Sequence, residues 1–304
     1  MIKVKDGSGI RSDQKRMTDL LKKLSSVVLL AALAVIAGLA QDGDSSRDRH
    51  VAAVSSKQKP AAPLSLPFAV GETLAYEGKI SKSIVRGIAV ADLTFTLTQP
   101  DPDGDFLVKA DARSKGTLTK LFRFSFVQQI ESTFGARDGY VKLTKKHDVQ
   151  KERIRNSLAV FDYSNGRVTY TETDPNEPMR PPRRIASEIE PDTFDLISAI
   201  YWLRTKPMAI GTSLELTVSD SGLVYKVPVR VTGRERQKTE IGKLWCWRVE
   251  PDVFGPGRLI EGEGSMIVWI TDDRRRIPVR AQVNSSIGRI EIKIQSVKNS
   301  KANT

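Results

Sequence analysis

Three groups of side chains in this sequence have types and spacings that could do chemistry. The first is the run Asp272-Asp273-Arg274-Arg275-Arg276. Adjacent carboxylates can ligate a hard cation, and arginines fork onto phosphate. The run is flanked by apolar stretches at Met266–Ile270 and Pro278–Val283, so it also reads as a charged hairpin tip, where turns favour Asp. Arg274, Arg275 and Arg276 are the anion-binding residues this reading offers. The second group is Asp195, Ser198, Tyr201 and Arg204, at helical spacing. Here Asp195 serves helix capping, Ser198 packs closely, and Arg204 suits the negative end of the helix dipole. The third is aromatic: Trp245 and Trp247 around Cys246, with Trp269 downstream. Together with Tyr201 and Arg204 these tryptophans could line a ligand groove, although core packing accounts for them as well.

Catalysis finds little support in these groups. Ser198 has no histidine at a known spacing and no G-x-S-x-G elbow around it. His147, in Lys145-Lys146-His147-Asp148, reads as an exposed polar residue. Cys246 between two tryptophans reads as a small buried hydrophobe. A glycan hydrolase would need two carboxylates at a defined separation, and Asp195, Asp272 and Asp273 are the available ones. One cysteine and two histidines, His50 and His147, exclude a multi-cysteine zinc site and leave no histidine cluster. No catalytic residue, metal or cofactor is expected.

The elements that must carry these residues are mostly strands. Leu93, Phe95 and Leu97 alternate with Asp92, Thr94, Thr96 and Thr98; Ile290, Ile292 and Ile294 alternate with Glu291, Lys293 and Gln295. Leu223–Val231 alternates too, with Pro228 marking an edge or a bulge. Hairpin signals fall at Asp103-Gly104, Asp138-Gly139, Asn165-Gly166 and Ser221-Gly222. The stretches around Trp245–Val249 and Met266–Ile270 lack a polar face, as if covered on both sides. One helix is expected near 193–205, opened by Pro191-Asp192 with Asp192 as N-cap and closed before Pro207. The expected fold is mainly β: an antiparallel curved sheet, open barrel or β-spiral wrapped on that one short helix. No internal repeat is evident, and 67–298 reads as a single β-rich domain. A split near the helix is the alternative.

The N-terminal region is a targeting pattern. Lys22-Lys23 precedes the apolar run Leu24–Ala40, after which Gln41-Asp42-Gly43-Asp44 restores polarity. Gly38 and Ala40 sit where a signal peptidase reads, so cleavage after Ala40 is expected, with an uncleaved anchor through 24–40 as the alternative. Met17 is an alternative start. Residues 41–66 read as a disordered linker and 299–304 as a frayed tail. The net charge is +12, and seven basic and three acidic residues lie in 1–40, which leaves about +8 on the remainder. Outside the cytoplasm such a surface meets anionic lipid or acidic glycan and not nucleic acid. The expected protein is exported, periplasmic, without catalytic activity, and binds an envelope lipid or an envelope protein. A glycan hydrolase and a purely structural protein–protein domain are the alternatives.

Three ordered segments carry a resemblance. They are Phe68-x-x-Gly71-Glu72-x-Leu74-x-Tyr76, then Asp195-x-x-Ser198-x-x-Tyr201-x-x-Arg204 followed by Gly211, then Val268-Trp269-x-x-Asp272-Asp273-x-Arg275-Arg276-x-Pro278-Val279 with Gly288 behind it. Their order and spacing resemble the exported bacterial family called domain of unknown function 3108. That resemblance implies a mainly β envelope protein and supplies no reaction or ligand. The incomplete barrel of periplasmic lipoprotein carriers is a looser likeness, of fold class alone.

Overall fold

The computed structural model describes residues 66–82, 85–100, 104–286 and 288–299. The expected signal segment, the expected linker up to residue 65, Asp103 of an expected turn and the expected tail beyond residue 299 lie outside them.

Among the described residues, fifteen strands form one sheet. In chain order they are β1 (Thr73–Lys82), β2 (Val85–Thr98), β3 (Phe106–Ser114), β4 (Phe126–Phe134), β5 (Val141–Gln150), β6 (Arg153–Asp162), β7 (Arg167–Thr173) and β8 (Arg183–Glu188). Then come β9 (Thr193–Asp195), β10 (Ser213–Asp220), β11 (Leu223–Thr239), β12 (Gly242–Pro251), β13 (Gly264–Thr271), β14 (Pro278–Ser285) and β15 (Gly288–Lys298). Spatially the sheet runs from β8 down to β1, across to β15, and down again to β9. All pairs are antiparallel except β9–β10. The sheet curls but is not closed by a ladder. Its β8 edge meets the β10–β11 turn through the Ser187 hydroxyl, which donates to the Gly222 carbonyl at 2.7 Å.

Two helices accompany the sheet among the described residues: α1 (Gly116–Phe122) and α2 (Leu196–Thr205). The sequence pattern misses α1. It has seven residues, opens on a glycine and has no capping side chain. It buries Leu118 and packs against β2. The expected helix is α2, with a corrected start. Thr193–Asp195 is a strand, taken up by β10, so Asp192 stays exposed and Asp195 is the N-cap. The Asp195 carboxylate accepts from the backbone N–H groups of Ile197 (2.9 Å) and Ser198 (2.7 Å). In return the Ser198 hydroxyl accepts from the Asp195 N–H at 3.1 Å, which completes a capping box.

The alternation seen in sequence lines the inner face. Leu74, Tyr76, Leu93 and Phe95 pair across β1–β2, and Val231, Val249, Val268, Ala281 and Ile292 form one continuous row across β11–β15. All nine are buried. Helix α2 lies against this face at β3, β4 and β10, with Ile197, Ile200, Tyr201 and Leu203 buried. Pro228 is in mid-sheet by strand order, yet β12 ends at Pro251, opposite Val229. The missing N–H therefore faces a position where the ladder has stopped, locally an edge. Trp269 is covered on its outer side by the β11–β12 hairpin and not by the helix. Its indole N–H donates to Glu235, and Arg280 lies over its ring at 4.5 Å.

The structure also contains a repeat that the alternation conceals. Pro67-Phe68-Ala69-Val70-Gly71-Glu72-Thr73-Leu74 and Pro207-Met208-Ala209-Ile210-Gly211-Thr212-Ser213-Leu214 match at Pro, Ala, Gly and Leu. Both make the same turn. Gly71 and Gly211 share φ 86°, and each donates its N–H to a strand carbonyl, Leu97 at 2.8 Å and Val231 at 2.9 Å. That φ is one that glycine adopts without cost.

On β4–β5 the inner face turns polar. Asp148 is buried between Gln128 Nε2 (3.3 Å) and Gln150 Nε2 (2.9 Å). Burial raises its pKa above the ordinary carboxylate value. A raised folded-state pKa means that the native state holds this proton more tightly than the unfolded chain does. The contribution is therefore complete below about pH 3.9 and lost as pH rises through the folded value. Asp148→Asn removes that loss. Its melting temperature relative to the parent is expected to rise between pH 4 and pH 7, checked by thermal melts across that range.

Candidate functional site

The three segments that carry the resemblance converge at one end of α2. Arg204 turns inward from the helix and is buried. Its Nη1 and Nη2 donate to the two carboxylate oxygens of Glu72 at 2.5 and 2.8 Å. Its Nε and Nη2 also donate to the Arg275 carbonyl at 3.1 and 3.0 Å, and Nη2 reaches the Pro67 carbonyl at 3.0 Å. The Tyr76 hydroxyl donates to the Pro278 carbonyl at 2.9 Å. Thus Glu72 and Tyr76 from β1 and its approach, Tyr201 and Arg204 from α2, and the turn from β13 to β14 form one buried knot. The expected dipole role for Arg204 is superseded: a guanidinium with a bidentate carboxylate and two carbonyls is a tether between distant segments. Glu72 is the partner the sequence could not name.

Beside the knot is a cavity of about 470 Å³ at the mouth of the curled sheet. Phe68, Phe106, Phe134, Tyr201 and Trp202 form its apolar wall. Phe68 and Phe134 pack on the Tyr201 ring at 5.1 and 6.1 Å. Arg137, Arg274 and Arg276 line it alongside one acidic residue, Asp138. Arg276 is fixed there by donating to the Lys206 carbonyl at 2.6 Å. Arg204 also lines the cavity, but Glu72 neutralises it. Lys206 stands over the Trp202 ring at 3.8 Å, and burial lowers its pKa. Burial raises the Tyr201 phenol, whose oxygen has no hydrogen-bond partner among the described residues.

The expected site residues therefore divide. Tyr201, Arg204, Arg274 and Arg276 come together at this mouth. Arg275 contributes its carbonyl to the knot, while its side chain pairs with Asp273 at 3.2 Å. Trp245, Trp247 and Trp269 are elsewhere, on the β11–β12 hairpin and beneath it. Trp202 and Arg137 are members the sequence reading missed. Trp202 is adjacent to Tyr201 on an apolar helix, a signal that was present; Arg137 sits in a turn and carries none.

The carboxylates are engaged. Asp195 caps α2 and accepts from the Thr144 hydroxyl. Asp272 pairs with Arg234 at 2.6 Å. Asp273 accepts from the Thr271 hydroxyl at 2.7 Å and from the Arg275 and Arg276 N–H groups at 3.0 and 3.1 Å. Burial pushes the Asp273 carboxyl up, but Thr271 and Arg275 outweigh it and hold the pKa below its ordinary value. Asp195 and the Asp272–Asp273 turn stand at opposite ends of α2. A ten-residue helix spans about 15 Å, beyond the roughly 5–9.5 Å between the carboxyls of a glycosidase. Cys246 is fully buried, and burial pushes its thiol up to about 12. His147 is half-buried on the outer face, with Nδ1 2.6 Å from the Asn156 side-chain oxygen.

Residues 75–295 match the model of a family described as protein of unknown function, DUF3108. The chain belongs to this family. Glu72, the partner of Arg204, lies just ahead of the matched DUF3108 stretch. Among solved structures, a β-barrel-like protein of domain of unknown function DUF1849 from Brucella abortus is similar at 12% identity and TM-score 0.51, over 75% of this chain and 97% of that one. A Bacteroides fragilis protein with a YmcC-like fold matches at 10% identity and TM-score 0.33, over 77% and 98%. The first likeness places the DUF3108 domain among barrel-like folds. Among curated proteins nothing matches the chain.

Proposed function

We infer that this is an exported envelope protein that binds an anionic amphiphile without transforming it, at the mouth beside α2. The observation that carries this reading is the 470 Å³ aromatic-walled cavity lined by Arg137, Arg274 and Arg276. Its size falls within the roughly 300–1,000 Å³ of small-molecule sites. An apolar wall with cations at its rim suits a molecule with an apolar body and a negative head. The targeting pattern at 22–40 supports export. Because α2 occupies the interior, the ligand enters at one end only, which favours reception of a head and a short apolar portion over carriage of a long chain through the barrel.

The test uses 1-anilinonaphthalene-8-sulfonate as the probe and laurate as competitor. Ala136 is partly buried and lines the cavity. Ala136→Trp is expected to fill the cavity and weaken probe binding at least about tenfold, and Arg276→Glu to weaken laurate more than the uncharged lauryl alcohol. Probe binding indifferent to Ala136→Trp, together with no lipid on the protein by native mass spectrometry from an envelope fraction, overturns the reading.

A further inference from the structure

The β11–β12 hairpin presents a face made solely of cations and indoles. Its register pairs Arg234 with Trp247, Arg236 with Trp245 and Lys238 with Lys243. Paired residues share a face and alternate residues leave it, so these six stand together. The opposite face, with Glu235, Gln237 and Cys246, turns toward Trp269 and Arg280. Arg234 lies over the rings of Trp245 (4.5 Å) and Trp247 (5.9 Å), and Arg236 over Trp245 (5.1 Å). Trp245 nevertheless keeps 43% of its surface exposed. Two carboxylates adjoin the face: Glu240 in the turn, and Asp272, which is paired with Arg234.

We propose that this hairpin face docks on a bilayer surface containing anionic phospholipid. Indoles prefer the headgroup layer, where an apolar ring and a polar N–H are both satisfied, and Lys and Arg are drawn to the negative surface of such a leaflet. An acidic glycan is the weaker match. Sugar faces stack on open indole faces, and the Trp245 ring already carries two guanidiniums. The placement is also suited to the mouth. The Trp245 carbonyl accepts from the Asp272 N–H at 2.8 Å, and Asp272 opens the turn that carries Arg274 and Arg276 into the cavity lining. Docking would therefore bring the mouth to the headgroup layer. That last step rests on the proposed ligand site; the docking itself does not.

The experiment is quenching of tryptophan fluorescence in the full chain by vesicles with brominated acyl chains, made of phosphatidylglycerol with phosphatidylcholine or of phosphatidylcholine alone. Quenching is expected on the anionic vesicles and not on the neutral ones. Trp245→Phe should remove most of it, which separates the hairpin from insertion by residues 24–40. Arg236→Glu with Lys243→Glu should raise the vesicle concentration needed at least about tenfold, while the distant pair Arg183→Glu with Arg184→Glu leaves it unchanged. Quenching that survives Trp245→Phe, that is equal on neutral vesicles, or that is absent overturns the proposal. So does displacement from the vesicles by polygalacturonate equally in parent and Arg236→Glu with Lys243→Glu. Ala136→Phe, which blocks the cavity without adding a tryptophan, should leave quenching intact, so the ligand reading and the docking reading fail separately.

Discussion

Arg204→Met is expected to destabilise the protein by about 3–5 kcal/mol, the cost of leaving one member of a buried ion pair without its partner. In a domain of this size that lowers the melting temperature by roughly 10 °C. The size of the effect follows from what stays behind. Glu72 is 3% exposed and would keep a charge with no cation beside it. The Pro67 and Arg275 carbonyls would lose the donor that joins them. Arg204→Lys should rescue little, because an ammonium cannot present two parallel N–H donors to a carboxylate while also reaching the carbonyls. Glu72→Leu in the Arg204→Met background should recover a large part of the loss, since an apolar pair of similar volume no longer strands a charge. Recovery stays partial because the two carbonyls remain unserved. Thermal and urea melts of the two single variants and the double variant check this, and additive losses would show that the pair is not the tether described here.

The same knot shows what sequence can and cannot reveal. Alternation at Leu93–Leu97 and Ile290–Ile294 dictates strands with one buried face, because a side-chain period of two leaves no other way to bury those residues. The spacing from Ile197 to Leu203 dictates a helix for the analogous reason. Each is a local periodicity, legible wherever the chain is read. The pairing of Glu72 with Arg204 spans 132 residues, and the bond from Arg204 to Arg275 spans 71. Neither has a local signature; both are consequences of a sheet that carries the chain away and returns it. The three segments are recognisable as a set, but their meeting at one point emerges only once the sheet has curled. The cover of Trp269 is similar: strand β13 reads as buried on both sides, while the covering hairpin comes from residues around Glu235 that look solvated. The paired turns at Gly71 and Gly211 were legible in principle. Four shared positions out of eight are faint in a line of text and plain once both glycines show the same φ and the same bonding.

Asp195→Ala is expected to cost about 3 kcal/mol, whereas Asp192→Ala should stay within about 0.5 kcal/mol. Both aspartates precede the same apolar run, and a cap at Asp192 suits the sequence as well as one at Asp195. What decides between them is competition for the backbone of Thr193–Asp195. Its hydrogen bonds go to β10, so the helix starts three residues later than the periodicity suggests. Loss of the Asp195 carboxylate removes a cap, at about 1 kcal/mol, and a part-buried hydrogen bond from Thr144, at about 2 kcal/mol. Asp195→Asn keeps an acceptor for the Ile197 and Ser198 amides and should lose less than half as much. The effect should also reach the cavity. Tyr201, Trp202 and Arg204 are all carried by α2, so a helix that frays at its start holds the aromatic wall less firmly. Probe binding in Asp195→Ala should weaken at temperatures where the fold is still intact, and Asp192→Ala should bind as the parent does. If both variants melt alike, the strand has not displaced the cap and the helix begins where the sequence pattern alone would start it.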